Sequence, residues 1–338
     1  MIRQAVLEYD HSNDALDKLY SLIGNRKALV LKGFNGYGEA VRVSPRLSEI
    51  PSIRFNGECS DEELERLTAY RPDVWIAVGG GKLIDTAKRI AFTQSVPLIV
   101  VPTLVSNCAT FTPLSVIYGE DGTYLRYDTF PVVIERVIAD ERLLRNSPYD
   151  YFKAGVIDTV AKWFEARYIS GTTSRDAGIQ SGLSLAAQCG ALMDLSIRED
   201  DFRHYGTDIR FIVDHILAIG GAVGGFGDAG TRVAVAHAVH NALSRFDSTH
   251  HWLHGDKVGF GLIVQERLTS SEDGSFLENW LQAIAAPTSL DQLGIRFDQI
   301  DELVNYVVEE MTIQGIHKVE DIEQLKEILK NLQETVYK

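Results

Sequence analysis

Histidines and one aspartate in the second half of the chain have the types and spacing of metal ligands. Asp158 lies in AGVIDTVAKWFEAR, a helical pattern with a buried apolar face, and a buried carboxylate needs a partner. Five of the nine histidines fall within eighteen residues, namely His237, His240, His250, His251 and His254. One carboxylate with two imidazoles leaves open coordination positions, as in catalytic zinc and ferrous sites. A single helix histidine is more often a core residue that bonds a carbonyl, but the cluster as a whole favours a divalent metal.

A run of three glycines separates an apolar strand pattern from an amphipathic helix pattern in VWIAVGGGKLIDTAKRIA. Glycines there let backbone N–H groups approach a phosphate, and the helix N-terminus adds partial positive charge. The spacing is GGGxxxD and not GxGxxG, so a pyrophosphate site and a plain tight turn both remain open. Asp85 faces either this loop or solvent. Thr103 and Ser106 follow the next strand pattern, where open α/β sheets bind ligands, although each hydroxyl alone is as compatible with a turn.

The elements that must position these residues change character along the chain. The first part alternates β-branched runs with helical patterns, which predicts a parallel sheet covered by helices. The predicted strands are 27–31, 74–78 and 97–101, and the predicted helices are 61–70 and 82–92. After Pro148, helical spacing dominates over 151–170, 182–195, 208–220, 232–243 and 323–337. The sequence therefore predicts an α/β domain over 1–147 and an all-α domain over 148–338.

Composition and charge restrict the partners. The 338 residues are 45% hydrophobic and 24% charged, which is typical of a folded protein of two domains. The formal charge of −14 argues against nucleic acid as a partner, and an anionic substrate would need a local group of cations. The N-terminus predicts no signal or transit peptide, and the longest apolar stretch, 97–105, is far below the ~18 residues of a membrane span. With three widely spaced cysteines, we expect a cytoplasmic protein that has no membrane partner.

Four segments together resemble the iron-containing alcohol dehydrogenase family, in its glycerol dehydrogenase branch. They are GGGKLIDTAK, PTLVSNCATFTPLSVIY, DTVAKWFEAR and HAVHNALSRFDSTHHWLHGDKVGFGLIVQ, and they occur in the family's order over about 74–265. The resemblance implies a dinucleotide-binding α/β domain, a helical metal-binding and catalytic domain, NAD(P)(H), and a divalent metal, zinc in preference to ferrous iron. It also implies a small-molecule substrate, and we expect a homo-oligomer.

The resemblance assigns roles residue by residue. Asp158, His237 and His254 would be the metal ligands, and His240 is left as a residue that either supports a ligand from behind or handles protons. In the proposed reaction, the proton is delivered by bound water or by a histidine such as His240 or His250. The residues that would bind the dinucleotide are Gly80, Gly81, Lys82, Thr103, Ser106, Thr112, Leu114 and Tyr118.

Two departures from glycerol dehydrogenases concern the substrate. Cys108 stands where they carry an aspartate that helps to hold the polyol, and Lys162 stands where they carry a small or neutral residue. The i to i+4 spacing puts Lys162 on the same helix face as Asp158. Losing an anion and gaining a cation near the metal favours a substrate that bears a carboxylate. In this respect the chain is more similar to the hydroxycarboxylate dehydrogenases of the family. Arg232 is a second cation that could bind the substrate carboxylate. Structural ion pairs are the alternative for both, with Lys162 bound to Asp158 or Glu165.

The segment KALVLKGFNGYG bears on the choice of coenzyme. Family members that prefer NAD usually place an acidic residue after this early strand, whereas this chain has Lys32 there and no carboxylate nearby. The ribose 2′-phosphate of NADP would meet no repelling carboxylate here, and Lys32 could reach it. The sequence therefore leaves the choice between NAD and NADP open, with a slight preference for NADP(H).

The leading hypothesis is metal-assisted hydride transfer between NAD(P)H and a small 2-oxo acid, with Lys162 on the carboxylate. One alternative is a glycerol or 1,2-diol dehydrogenase with altered polyol contacts. Another is a dehydroquinate-synthase-like lyase, which would show no net turnover of coenzyme. The last is a binding protein that has lost catalysis, and the intact Asp158, His237 and His254 set argues against it.

Overall fold

A computed structural model describes residues 1–131, 134–269, 273–316 and 322–333. The chain forms two compact units. Unit 1 comprises Met1–Phe152 and Ser196–Phe226, and unit 2 comprises Lys153–Leu195 and Gly227–Lys338. The sequence predicts one boundary near residue 148, whereas the segment Ser196–Phe226 groups with the N-terminal residues.

Unit 1 contains two sheets. The strands are β1 (Val6–Ser12), β2 (Ala28–Lys32), β3 (Ser52–Arg54), β4 (Val74–Gly79), β5 (Leu98–Pro102), β6 (Leu114–Tyr118), β7 (Tyr124–Thr129) and β8 (Ile134–Asp140). Six of them form a parallel sheet in the order β1-β8-β5-β4-β2-β3, and β6 pairs with β7 in an antiparallel hairpin. This is the architecture of an open α/β sheet.

Helices follow most strands of unit 1 and make up the regular structure that is described for unit 2. In chain order they are α1 (Leu19–Ile23), α2 (Gly36–Val43), α3 (Asp61–Leu67), α4 (Gly81–Gln94), α5 (Glu141–Leu144), α6 (Tyr149–Ser170), α7 (Ala177–Gly190), α8 (Glu199–His204), α9 (Thr207–Asp214), α10 (Gly220–Gly227), α11 (Val235–Leu243), α12 (His254–Leu268), α13 (Asp273–Ala283), α14 (Ile300–Ile313) and α15 (Ile322–Asn331). The parallel sheet of the N-terminal part and the helical C-terminal part agree with the predicted fold class.

Both faces of the parallel sheet are buried. In β4, Trp75 and Ala77 belong to one hydrophobic core, whereas Val74, Ile76 and Val78 belong to another on the opposite face. Residues of a strand alternate between faces, so a strand that is buried on both must be apolar throughout. That requirement explains why the sequence pattern finds this strand easily.

The carboxyl ends of β4 and β5 lie side by side at the start of α4. Gly79 is in register with Pro102, and the Thr103 amide donates to the Gly79 carbonyl. The sheet thereby brings the glycine run and the segment after β5 to one edge, which is where open α/β sheets bind ligands.

The differences from the predicted elements have physical reasons. Strands β1 and β8 were not predicted, because the sequences VLEYDHS and IERVIAD mix charged with apolar residues. The predicted helix over 208–220 is α9, a π-helical turn His215–Ile219 and α10 in succession. The predicted helix over 323–337 corresponds to α15, and residues 334–337 lie outside the described residues.

One helical run, Thr207–Gly230, is long and apolar enough to cross a membrane by length and composition alone. The share of its apolar window that is buried inside the protein is 61%. A core helix meets the same criterion, so this run is weak support for a membrane segment.

Candidate functional site

Three helices of unit 2 carry the predicted metal ligands: Asp158 on α6, His237 on α11, and His254 as the first residue of α12. Two glycines let these helices approach closely. A Cβ on Gly255 would collide with the backbone of α6, and a Cβ on Gly261 would collide with the backbone of α11. The HGDKVGFG segment thus contributes a ligand and also the small residues that bring it to the other two.

The three side chains form a compact set of ligand atoms. Their candidate ligand atoms all lie within 4.8 Å of one another, and Asp158 Oδ1 lies 3.5 Å from Nε2 of both His237 and His254. Two ligands of a tetrahedral zinc with bonds of about 2.0–2.1 Å stand roughly 3.3 Å apart. Asp158 Oδ1 is buried and, among the described residues, accepts no hydrogen bond. These observations fit a divalent cation held by the three residues.

The charges around the site also favour a cation. Burial opposes ionisation of Asp158, but Lys162 and the imidazoles of His237 and His254 outweigh it and hold its pKa well below the usual value. Burial likewise opposes charge on His237, yet the carboxylates of Glu165 and Asp158 raise its pKa to about 9. Positive charge beside Asp158 is therefore stabilised.

Glu165, which the sequence offered only as an ion-pair partner of Lys162, contacts the candidate ligand His237. It is buried, and its Oε2 lies 2.7 Å from His237 Nδ1. Its Oε1 accepts the backbone amides of Ala234 and His237 at 2.8 and 3.0 Å. A carboxylate on the second ring nitrogen fixes the orientation of a metal-binding histidine. The signal was present, because Asp158, Lys162 and Glu165 share one helix face at i, i+4 and i+7.

The two other predicted histidines are placed differently. His240 is buried, with Nε2 3.0 Å from His254 Nδ1 and Nδ1 2.9 Å from Asn241 Oδ1. His250 is exposed on the turn after α11, where its ring bonds the Ser244 carbonyl at 3.1 Å. The described contacts therefore bring His240 to the metal ligands and leave His250 outside the cluster.

The two predicted substrate cations of unit 2 also differ. Lys162 is buried, with Nζ 3.6 Å from Asp158 Oδ1, so the ion pair that the sequence left open is formed. Arg232 is partly buried just before the start of α11. The distance to Asp158 thus places Lys162 beside the ligand set.

Several of the predicted dinucleotide residues of unit 1, namely Gly80, Gly81, Lys82, Thr103 and Tyr118, lie near the start of α4. Gly80 is the N-cap residue of this helix, and among the described residues no side chain caps it. The backbone N–H groups of the first turn are therefore suited to bind a phosphate. A Cβ on Gly81 would meet the Asn107 side-chain amide at 2.7 Å, so a larger residue there would displace that amide. Lys82 pairs with Glu58 at 2.6 Å and lies 4.6 Å from the centre of the Tyr118 ring. Lys82 is therefore held beside the glycine turn by an acidic partner.

Two buried charges on α4 hold the segment that contains the remaining predicted residues. Lys88 Nζ donates to the carbonyls of Ala109 and Thr112 at 2.9 and 3.3 Å, to the Thr112 hydroxyl at 3.2 Å, and to the Leu114 carbonyl. Asp85 accepts the Val116 amide at 3.0 Å and pairs with Lys88 at 2.7 Å. Asp85 therefore faces this segment and not solvent. Burial raises the pKa of Asp85.

Comparisons with known proteins agree with this architecture. The family model described as iron-containing alcohol dehydrogenase matches residues 8–140. Hydroxycarboxylate dehydrogenase A of Escherichia coli (strain K12) is 34% identical over 277 residues, which are 78% of this chain and 76% of that protein. A glycerol dehydrogenase of Pseudomonas putida is 34% identical over 259 residues, 73% of this chain and 70% of that protein. The crystal structure of a glycerol dehydrogenase from Schizosaccharomyces pombe has the same fold, with a TM-score of 0.82, 24% identity, and coverage of 98% of this chain and 90% of that one.

Proposed function

Because this chain belongs to the iron-containing alcohol dehydrogenase family, we propose that it reduces small 2-oxo acids to 2-hydroxy acids with a nicotinamide coenzyme. When bound, the reduced nicotinamide would supply the hydride for the carbonyl carbon, and water would supply the proton for the carbonyl oxygen. A divalent metal, zinc in this proposal, supplies Lewis-acid polarisation of the carbonyl when bound. Asp158, His237 and His254 hold the metal, and Glu165 orients His237.

One observation supports a substrate with a carboxylate. Lys162 Nζ lies 3.6 Å from Asp158 Oδ1, so a buried cation adjoins the proposed metal position, where the substrate carbonyl would bind. A carboxylate attached directly to the reacting carbonyl carbon would then lie near the Lys162 ammonium group. Hydrogen bonds to charged groups contribute more than neutral ones, which favours the oxo acid over a neutral aldehyde. Arg232 is proposed as a second contact for the same carboxylate.

Glycerol or a 1,2-diol is the second candidate, since several relatives are named glycerol dehydrogenases. Cys108, which takes the place of the polyol-binding aspartate, is buried and has no carboxylate to offer. The lyase alternative finds no support among the relatives named above. Both oxidoreductase candidates use the same metal ligands and differ in what binds the rest of the substrate.

The coenzyme site favours acceptance of NADPH. Lys32 ends β2, in register with Arg54 at the end of β3, so two cations adjoin at the carboxyl edge of the sheet. Cations at such an edge can bind a ribose 2′-phosphate, which a carboxylate would repel. We propose that Gly80, Gly81, Lys82, Thr103, Ser106, Thr112, Leu114 and Tyr118 surround the rest of the dinucleotide.

A matched screen tests these proposals. The zinc-loaded and iron-loaded enzymes are assayed with 2-oxobutyrate, a neutral aldehyde of similar size, glycerol and 1,2-propanediol, each with both nicotinamide coenzymes. We expect the oxo acid to give the highest kcat/KM, and NADPH to be used at least as well as NADH. Turnover of glycerol without turnover of 2-oxobutyrate would reject the carboxylate proposal, and exclusive use of NADH would reject the coenzyme proposal.

The same proposal includes the setting of the enzyme. We propose that it works in the cytoplasm as a homo-oligomer, without nucleic acid or a membrane as partner. Light scattering of the purified protein tests the oligomeric state.

A further inference from the structure

A chain of hydrogen bonds leads away from His254 through three helices of unit 2. His254 Nδ1 lies 3.0 Å from His240 Nε2, and His240 Nδ1 lies 2.9 Å from Asn241 Oδ1. Asn241 Nδ2 donates to Glu310 Oε2 at 3.0 Å. Arg245 Nη2 donates to Glu310 Oε1 at 2.7 Å. The chain thus joins α12, α11 and α14 and ends in an ion pair.

The direction of every hydrogen bond in this chain is determined by its two ends. If His254 Nε2 binds a cation, its Nδ1 carries the proton and must donate to His240 Nε2. At the other end, a carboxylate can only accept, so Glu310 fixes the Asn241 amide with its oxygen towards His240. His240 must then carry its proton on Nδ1. Both ends demand the same tautomer of His240.

We propose that Glu310 is a positioning residue for metal binding, which acts through Asn241 and His240 to keep His254 Nε2 free for the cation. Among the described contacts, Glu310 is linked to His254 only through Asn241 and His240. Its side chain is only 3% exposed, and it accepts from Asn241 and Arg245 at once. This arrangement differs from that at His237, where a carboxylate contacts the ligand directly. The inference rests on the proposed metal site and not on the choice of substrate.

Replacing one carboxylate oxygen of Glu310 by an amide nitrogen would break the agreement between the two ends of the chain on the tautomer of His240. In Glu310→Gln the side chain has one acceptor, for which Arg245 and Asn241 compete. If Arg245 takes the oxygen, the Gln amide nitrogen faces Asn241 and favours a flipped Asn241 whose nitrogen faces His240. His240 must then carry its proton on Nε2, which opposes the proton on His254 Nδ1. Without metal, His254 can move its proton to Nε2 and relieve this conflict, so the penalty falls mainly on the metal-bound state.

The test compares Glu310→Gln with Glu309→Gln as a matched control. Glu309 is the preceding residue and binds Arg245 Nη1 at 2.7 Å, but its side chain is 54% exposed. Competition with a chromophoric chelator measures the Kd for Zn²⁺, and thermal unfolding of the metal-free proteins measures stability. We expect Glu310→Gln to weaken Zn²⁺ binding about tenfold or more, as outer partners of metal histidines do. Glu309→Gln should remain within about twofold of the parent, in line with the small energy of exposed ion pairs.

Several outcomes would overturn the inference. An unchanged Kd in Glu310→Gln, or an equal loss in both variants, would show that the hydrogen-bond direction does not matter. A loss of metal-free stability that accounts for the whole change in Kd would assign Glu310 a purely structural role. A parent protein that binds neither Zn²⁺ nor Fe²⁺ would remove the metal site and the inference with it. Tight metal binding without turnover of 2-oxo acids would reject the proposed function alone.

A second measurement uses the parent protein and needs no variant. Histidine ring ¹⁵N–¹H correlation spectra of the zinc-loaded protein report which nitrogen of each imidazole carries a proton. The inference requires the Nδ1–H tautomer of both His240 and His254. A His240 ring with its proton on Nε2 would contradict it.

Discussion

Lys162 forms the ion pair that the sequence left open as a structural alternative, and we propose a substrate contact for the same residue. Its ammonium group pairs with Asp158 Oδ1 at 3.6 Å, and this position beside a metal ligand is also where a substrate carboxylate would be bound. Burial removes hydration from the Lys162 ammonium group, and the adjacent Asp158 carboxylate offsets part of that cost. A structural contact at this position is therefore compatible with a contact to substrate.

Replacing Lys162 by Met should separate acidic from neutral substrates. A charge-assisted hydrogen bond contributes about 1.5–3 kcal/mol, so we expect KM for 2-oxobutyrate to rise about 10- to 100-fold. KM for a neutral aldehyde should change much less, in protein of equal metal content. Lys153→Met on the same helix is the control, since Lys153 Nζ donates to the Ala285 carbonyl at 3.4 Å. Equal increases in KM for both substrates in Lys162→Met would contradict the proposed role.

The predictability of the site follows from where its residues lie in the chain. Asp158, His237 and His254 could be predicted, because metal ligands come from few residue types and the motifs around them are distinctive. Glu310 could not, because its role depends on α14 packing beside α11, about seventy residues away from Asn241. Hydrogen-bond partners that come from a remote helix leave no spacing pattern in the sequence.

At the level of elements, α4 supports the nucleotide edge of the sheet through its charges as well as its N-terminus. Lys88 is fully buried and binds the backbone carbonyls of Ala109 and Thr112, between β5 and β6, and of Leu114, the first residue of β6. Asp85 compensates the charge of Lys88 and accepts the Val116 amide in the middle of β6. The KLIDTAK sequence therefore determines the conformation of the segment that contains Cys108 and Thr112.

Replacing Lys88 by Met should destabilise the protein and disturb coenzyme binding. Removing one partner of a buried ion pair leaves a buried charge uncompensated and lowers the free energy of unfolding by about 3–5 kcal/mol. Denaturant titration measures this change, and Lys330→Met, an exposed lysine on α15, should change stability by less than about 0.5 kcal/mol. Similar values for the two variants would show that Lys88 does not hold the segment.

The extent to which a strand is buried explains which strands could be predicted. Strands β4 and β5 are buried along their whole length, so their apolar runs were visible. β7 has exposed and partly exposed residues only, and β3 has three residues. Such elements are set by pairing with a neighbour, which a single sequence does not display.

For the whole molecule, the net charge of −14 describes the surface and not the site. An acidic protein can bind an anionic substrate when a metal and Lys162 supply local positive charge. Net charge therefore argues against a nucleic-acid partner, but it does not determine which small molecules bind.

The two units should respond separately to metal and coenzyme. A ligand at 100 times its Kd stabilises the state that binds it by about 2.7 kcal/mol. In hydrogen exchange, we expect Zn²⁺ to protect α6, α11 and α12, and a nicotinamide coenzyme to protect α4 and the segment after β5. Asp158→Asn should abolish the response to Zn²⁺ and keep the response to coenzyme. Protection spread evenly over both units by Zn²⁺ alone would contradict this assignment.

The grouping of Ser196–Phe226 with the N-terminal residues has a consequence for the gene. The chain passes between its units at three places, after Phe152, Leu195 and Phe226. A fragment that stops near residue 152 would lack Asp214, whose carboxylate bonds Tyr9 and His11 at 2.8 and 2.6 Å. No single break in the reading frame can therefore yield two complete folding units. Recombination could not exchange either unit as one continuous cassette, so coenzyme and metal specificities should be inherited together.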